Sequence, residues 1–125
     1  MLTCLLIFIA GGLGSICRYL VSFFIGSFVK TSFPLGTLCV NLLGSFIMGM
    51  SFAFFEYFLL SPMLKITLTV GFLGGFTTFS TYALETTNLL RDREYKLFAF
   101  NILTSNIFGL ASVIAGMSLI YIILK

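Results

Sequence analysis

The stretch Gly71-Phe72-Leu73-Gly74-Gly75-Phe76-Thr77-Thr78-Phe79-Ser80-Thr81-Tyr82 lies inside an apolar run reaching roughly from residue 66 to 90. Such a run is long enough to cross a hydrocarbon layer, which takes about 20 mostly apolar residues. Its centre is nevertheless ill suited to a plain helix. Gly74 and Gly75 each lower helix propensity by roughly 1 kcal/mol relative to alanine. The hydroxyl residues Thr77, Thr78, Ser80 and Thr81 follow within five positions, and their side chains compete with the helix for backbone hydrogen bonds. The alternative is an unbroken helix whose hydroxyls bond back to the preceding turn. The density of the signal favours a span broken mid-membrane. Open backbone at that depth is tolerated only where it is buried in protein or lines a cavity. There it offers carbonyls to cations and N–H groups to anions.

Outward from this segment, three further runs qualify as spans, roughly 3–28, 36–59 and 97–124. The composition agrees. Of 125 residues, 59% are hydrophobic and only 9% charged, too few charges to cover a soluble surface. Sixteen Phe and no Trp or His suit a lipid-facing protein and remove the commonest acid–base residue and metal ligand, so an enzyme is not expected. The opening MLTCLLIFIAGG has no basic n-region, and is read as a retained first span rather than a signal peptide. Cys4, Cys17 and Cys39, odd in number and set in apolar stretches, read as small hydrophobes rather than a disulfide framework.

The connections Lys30 to Pro34, Leu60 to Lys65 and Arg91 to Lys96 are short, so consecutive spans run antiparallel and both termini share one side. Pro34 and Pro62 fall at span starts, where a missing backbone donor does no harm. Lys65 and Lys125 lie on the side of the termini, against Lys30, Arg91, Arg93 and Lys96 on the other. Orientation follows Lys/Arg asymmetry in short loops, and two against four is a weak bias. Insertion in both orientations, and assembly as an antiparallel dimer, would follow. Small-xxx-small spacings such as Ala10/Gly14, Gly11/Ser15, Ser45/Gly49, Gly71/Gly75 and Ser112/Gly116 also suggest assembly, because helices in lipid associate through close backbone packing.

Polar residues inside spans are expensive and point to function. Asn41 either cross-links two helices or serves a site, since its amide has two N–H donors. Arg18 stays charged and must snorkel, pair or face water, and Glu85 is a conceivable partner. On the fourth span, Asn101, Ser105 and Ser112 recur at helical spacing as one polar stripe, with Thr104 and Asn106 nearby. Phe79 and Tyr82, three apart, share a helix face. Their ring edges are electropositive, and the surrounding inventory is rich in donors with Glu85 as its only acid. This favours a compact anion pathway.

The runs Gly11-Gly12-Leu13-Gly14-Ser15-Ile16-Cys17-Arg18-Tyr19, Pro34-Leu35-Gly36-Thr37 through Val40-Asn41-Leu42-Leu43-Gly44, and Gly71-Phe72 through Thr77-Thr78-Phe79-Ser80-Thr81 resemble the Fluc/CrcB fluoride channels. The resemblance covers nearly the whole chain and is most specific in the third run. It implies an all-α integral membrane fold of four transmembrane helices, forming a dual-topology antiparallel homodimer with two fluoride pores between subunits. Phe79 would be the first ring of an aromatic box beside the ions. Tyr82 stands at the second ring's place, where the family usually has Phe, so a hydroxyl is added there. Asn41 would donate to fluoride, Ser80 and Thr81 would belong to a polar track, and Arg18 would line a vestibule. Ser105, Asn106 and Ser112 are candidates for the track on the fourth span. Backbone carbonyls of Gly74 and Thr77 from both subunits would hold a structural Na⁺. The expected activity is passive export of fluoride from the cytoplasm across the cell membrane. A small multidrug-resistance transporter would share the four spans and dual topology. It would need a Glu in the first helix, which has no acid here. A non-conducting subunit of a two-chain system is the other rival, and the retained Asn41, Phe79 and Thr-Ser-Thr residues argue against it. The soluble surface is too small to suggest other partners, nucleic acid included.

Overall fold

A computed structural model describes residues 1–125 and contains helices alone. Helix α1 runs Leu2–Phe28 and α2 Leu35–Tyr57. The third span, Pro62–Arg91, is composite. It comprises α3 (Pro62–Ile66), a π-helical segment Thr67–Leu73, α4 (Gly74–Phe76), two extended residues, and α5 (Phe79–Arg91). Helix α6 runs Tyr95–Ile123. Four helices are thus long and apolar enough to cross a membrane, with the third broken.

Helix ends follow local chemistry. Ser61 caps α3, its hydroxyl accepting the Leu64 N–H, with Pro62 at the first helical position. Helix α5 ends in two closing bonds, Glu94 N–H to the Leu89 carbonyl and Arg93 N–H to the Leu90 carbonyl, at 2.9 and 3.1 Å. Arg93 takes the left-handed conformation (φ 61°) where such a closure usually has glycine.

Two helix pairs carry the packing, α1 with the first half of the third span and α2 with α6. Both depend on glycine at the point of closest approach. A Cβ on Gly75 would overlap the Gly11 carbonyl, and one on Gly14 the Phe72 carbonyl. Likewise Gly49 lies against the Val113 carbonyl and Gly116 against the Phe46 carbonyl. The small-residue spacings expected to serve assembly are therefore used inside the protomer. Sequence spacing reports that two backbones touch, and leaves open whether they belong to one chain.

Much of the remaining surface is apolar, including Phe8, Phe28, Phe79 and Ile122 at more than 70% exposure. A globular protein in water would bury these groups. In lipid they cost nothing.

Candidate functional site

The break in the third span is two residues long. Thr77 (φ −81°, ψ 157°) and Thr78 (φ −148°, ψ 116°) are extended, and the helix resumes at Phe79. The adjacent glycines are not the break. They remain helical and bring the backbone against α1. The expected disruption is present, and within the run it falls on the threonines. Upstream, Thr67 and Thr69 hydroxyls bond back to the Met63 and Lys65 carbonyls, both at 2.8 Å, where the span widens into its π-helical segment. Back-bonding hydroxyls bend helices.

An extended pair at membrane depth leaves N–H and C=O groups without helical partners, each costing several kcal/mol in hydrocarbon. Side chains from α1 and α2 take them up. Asn41 accepts the Thr78 N–H on Oδ1 at 2.8 Å and donates from Nδ2 to the Thr78 carbonyl at 3.0 Å. Arg18 donates from Nη1 to the Thr77 carbonyl at 3.4 Å, and Ser15 from its hydroxyl to the Gly75 carbonyl at 3.4 Å. Thr78 caps α5, its Oγ1 accepting the Thr81 N–H at 3.3 Å and lying 3.0 Å from Thr81 Oγ1 and 3.4 Å from Ser80 Oγ. Of the two readings of Asn41, cross-link or site, the structure shows the cross-link. It also leaves one amide hydrogen of Nδ2 uncommitted.

Beside the break, Phe79 is 78% exposed, and its ring centroid lies 5.6 Å from that of half-buried Tyr82. Gly74, Ser80 and Thr81 are exposed as well. The first turn of α5 thus presents rings and hydroxyls outward from the protomer.

Other expectations are corrected. Arg18 does not pair with Glu85; the only ion pair is Arg91 with Asp92 at 3.4 Å. Glu85 instead lies in a polar cleft of about 300 Å³ with Ser22, Lys30, Thr31 and Thr37. On α6 the residues Asn101, Ser105 and Ser112 grade from buried to half-buried along one side of the helix. Asn101 is 1% exposed and donates to the Thr86 hydroxyl at 2.8 Å, linking α6 to α5. Ser105 lies 3.4 Å from Asn101 Oδ1 and is half-buried, as is Ser112, whereas exposed Asn106 donates to its own helix at the Ile102 carbonyl, at 2.7 Å. Sequence reasoning gave no separate role to Thr78, Ser15 or Thr86. The hydroxyl density was visible, but not which hydroxyl meets which carbonyl.

Four apolar spans, with the third opened at Thr77-Thr78 and the break braced by polar side chains, define a multi-pass protein of the cell membrane. The chain belongs to the CrcB family: the model described as "CrcB-like protein, Camphor Resistance (CrcB)" matches residues 5–117. It is similar to the fluoride-specific ion channel FluC of Bacteroides fragilis, 44% identical over 113 residues that cover 88% of this chain and 89% of that one. It is also similar to the proteins of the same name from Geobacter metallireducens, 46% over 112 residues covering 89% and 90%, and from Leptospira interrogans, 44% over 117 residues covering 93% and 92%. Its family is one of channels and not of enzymes.

Proposed function

We propose that this chain is a fluoride-selective passive channel that exports cytoplasmic fluoride, working as an antiparallel dual-topology homodimer with two pores and one central structural Na⁺. The observation that carries the reading is the outward face beside the Thr77-Thr78 break, where Phe79, Ser80 and Thr81 are exposed on the surface of the protomer. A second copy against that face would enclose a path that one protomer leaves open.

Along such a path Phe79 and Tyr82 would turn electropositive ring edges toward a partly dehydrated anion. Asn41 would offer its free amide hydrogen, and Ser80 and Thr81 their hydroxyls. Ser105, Asn106 and Ser112 would continue the donor track on α6. Arg18 would raise the anion concentration at the mouth. A pore with few donors and apolar walls selects by the cost of dehydration. Hydrogen fluoride enters cells as a neutral acid and ionises inside. A negative interior then drives the anion out, by about 2.3 kcal/mol per charge per 100 mV. No coupled acid is required.

The residues at the break suit a hard cation. Gly74 is exposed, and the N–H that a continuous helix would give its carbonyl goes to Asn41 instead. Carbonyl oxygen is the ligand such cations prefer. The carbonyls of Gly74 and Thr77 from two copies would hold Na⁺, which supplies fixed positive charge where two broken spans meet.

The test is efflux. Purified protein in liposomes loaded with potassium fluoride is given valinomycin, and a fluoride electrode follows release. Rapid fluoride loss with chloride-loaded vesicles staying full is expected. Retention of fluoride by well-folded protein would refute the reading.

A further inference from the structure

The Thr77 carbonyl is claimed twice. It is one of the oxygens assigned above to Na⁺, and it accepts a hydrogen bond from the Arg18 guanidinium at 3.4 Å. No carboxylate neutralises Arg18, because Arg91–Asp92 is the only ion pair in the protomer. Its other potential partner, Glu85, lies in the cleft with Lys30 and Thr37. A full positive charge therefore sits, partly buried, within hydrogen-bond distance of a cation ligand.

We propose that Arg18 is a positioning residue that shares the Thr77 carbonyl with Na⁺, holding the extended backbone in place while weakening the cation's hold on it. This inference rests on the Na⁺ reading above. The two roles have one physical origin. The guanidinium donates to an oxygen that has no helical N–H partner, which keeps Thr77-Thr78 extended. A carbonyl has two lone pairs, so the cation can bind alongside. Like charges a few ångströms apart repel strongly in a part-buried site, where water screens poorly. Ser15, bonded to the Gly75 carbonyl from the same face of α1 at 3.4 Å, keeps the neighbouring turn in register without adding charge. The break is thereby braced from α1 whether or not the cation is bound, and occupancy stays responsive to Na⁺ concentration.

The experiment measures thermal unfolding and dimer fraction of the full-length protein in detergent over a Na⁺ series, with N-methylglucamine holding ionic strength constant. Wild type, Arg18→Gln and Arg18→Lys are compared. For Arg18→Gln, which removes the charge, the Na⁺ concentration giving half-maximal stabilisation should fall about tenfold or more. Arg18→Lys keeps the charge and should titrate close to wild type. A merely structural hydrogen bond would lower stability at every Na⁺ concentration and leave the midpoint unmoved, and that result would overturn the proposal. So would a higher midpoint for Arg18→Gln. If Arg18→Gln does not yield folded protein, a wild-type midpoint for Arg18→Met would overturn it equally. A wild-type protein indifferent to Na⁺ would remove the Na⁺ reading and this inference together, whereas a responsive wild type with an unshifted Arg18→Gln would remove only the inference.

Discussion

Asn41 of α2 holds Thr78 of the third span by both ends of its amide, Oδ1 taking the Thr78 N–H and Nδ2 giving a hydrogen to the Thr78 carbonyl. A single side chain thus satisfies the donor and the acceptor of one residue in the break. In Asn41→Asp the acceptor survives, but the donor is replaced by a charged oxygen facing a carbonyl. Loss of about 2–3 kcal/mol in stability is expected, since a buried group left unpaired costs its full desolvation. Fluoride efflux should fall to the protein-free rate. Chemical unfolding and the electrode assay check both, and wild-type efflux would mean that the clamp is dispensable.

Phe79 offers the opposite case. Its ring is mostly exposed on the protomer, so Phe79→Ile should leave the unfolding midpoint nearly unchanged. Efflux should nevertheless be lost. Tyr82→Phe, which removes only a hydroxyl, should conduct at least as well as wild type. Unfolding of Phe79→Ile in step with lost activity would instead make the ring a packing element.

The helix contacts predict an asymmetry among glycines. Gly75→Ala inserts a Cβ into the Gly11 carbonyl and should cost about 1–3 kcal/mol, the usual penalty of overpacking. Gly26→Ala meets nothing within 4 Å and should be neutral, or stabilising by up to about 1 kcal/mol through helix propensity. Thermal unfolding of the two variants side by side decides it.

Asn101 and Thr86 form the buried link between α6 and α5. Asn101→Ala and Thr86→Val should each cost about 1–3 kcal/mol. The double variant should cost clearly less than the sum, because the bond between the two side chains is then lost only once. Strict additivity would show that the bond contributes nothing to stability.

Arg93 occupies a left-handed position that a side chain disfavours. Arg93→Gly should raise stability by about 1 kcal/mol, the approximate cost of that conformation for a residue with a Cβ. Destabilisation would mean that the arginine makes a compensating contact in the membrane-bound protein.

What the sequence determined by itself is what local composition controls. Span number follows from apolar length, because every backbone group in lipid must be satisfied within its own helix. The zone of the break follows from hydroxyls and glycines crowded into twelve positions, and Pro34 and Pro62 mark helix starts through backbone chemistry close at hand. Tertiary structure alone decided which faces meet. It placed the break at Thr77-Thr78, because Asn41 and Arg18 lie opposite those carbonyls, and it kept the glycines helical, because α1 passes there. It sent Arg18 to a carbonyl rather than to Glu85, and it turned the small-residue spacings inward. Periodicity records the face on which a residue lies, but a hydrogen bond between residues 37 or 59 positions apart depends on the crossing of two helices, and no local pattern carries that.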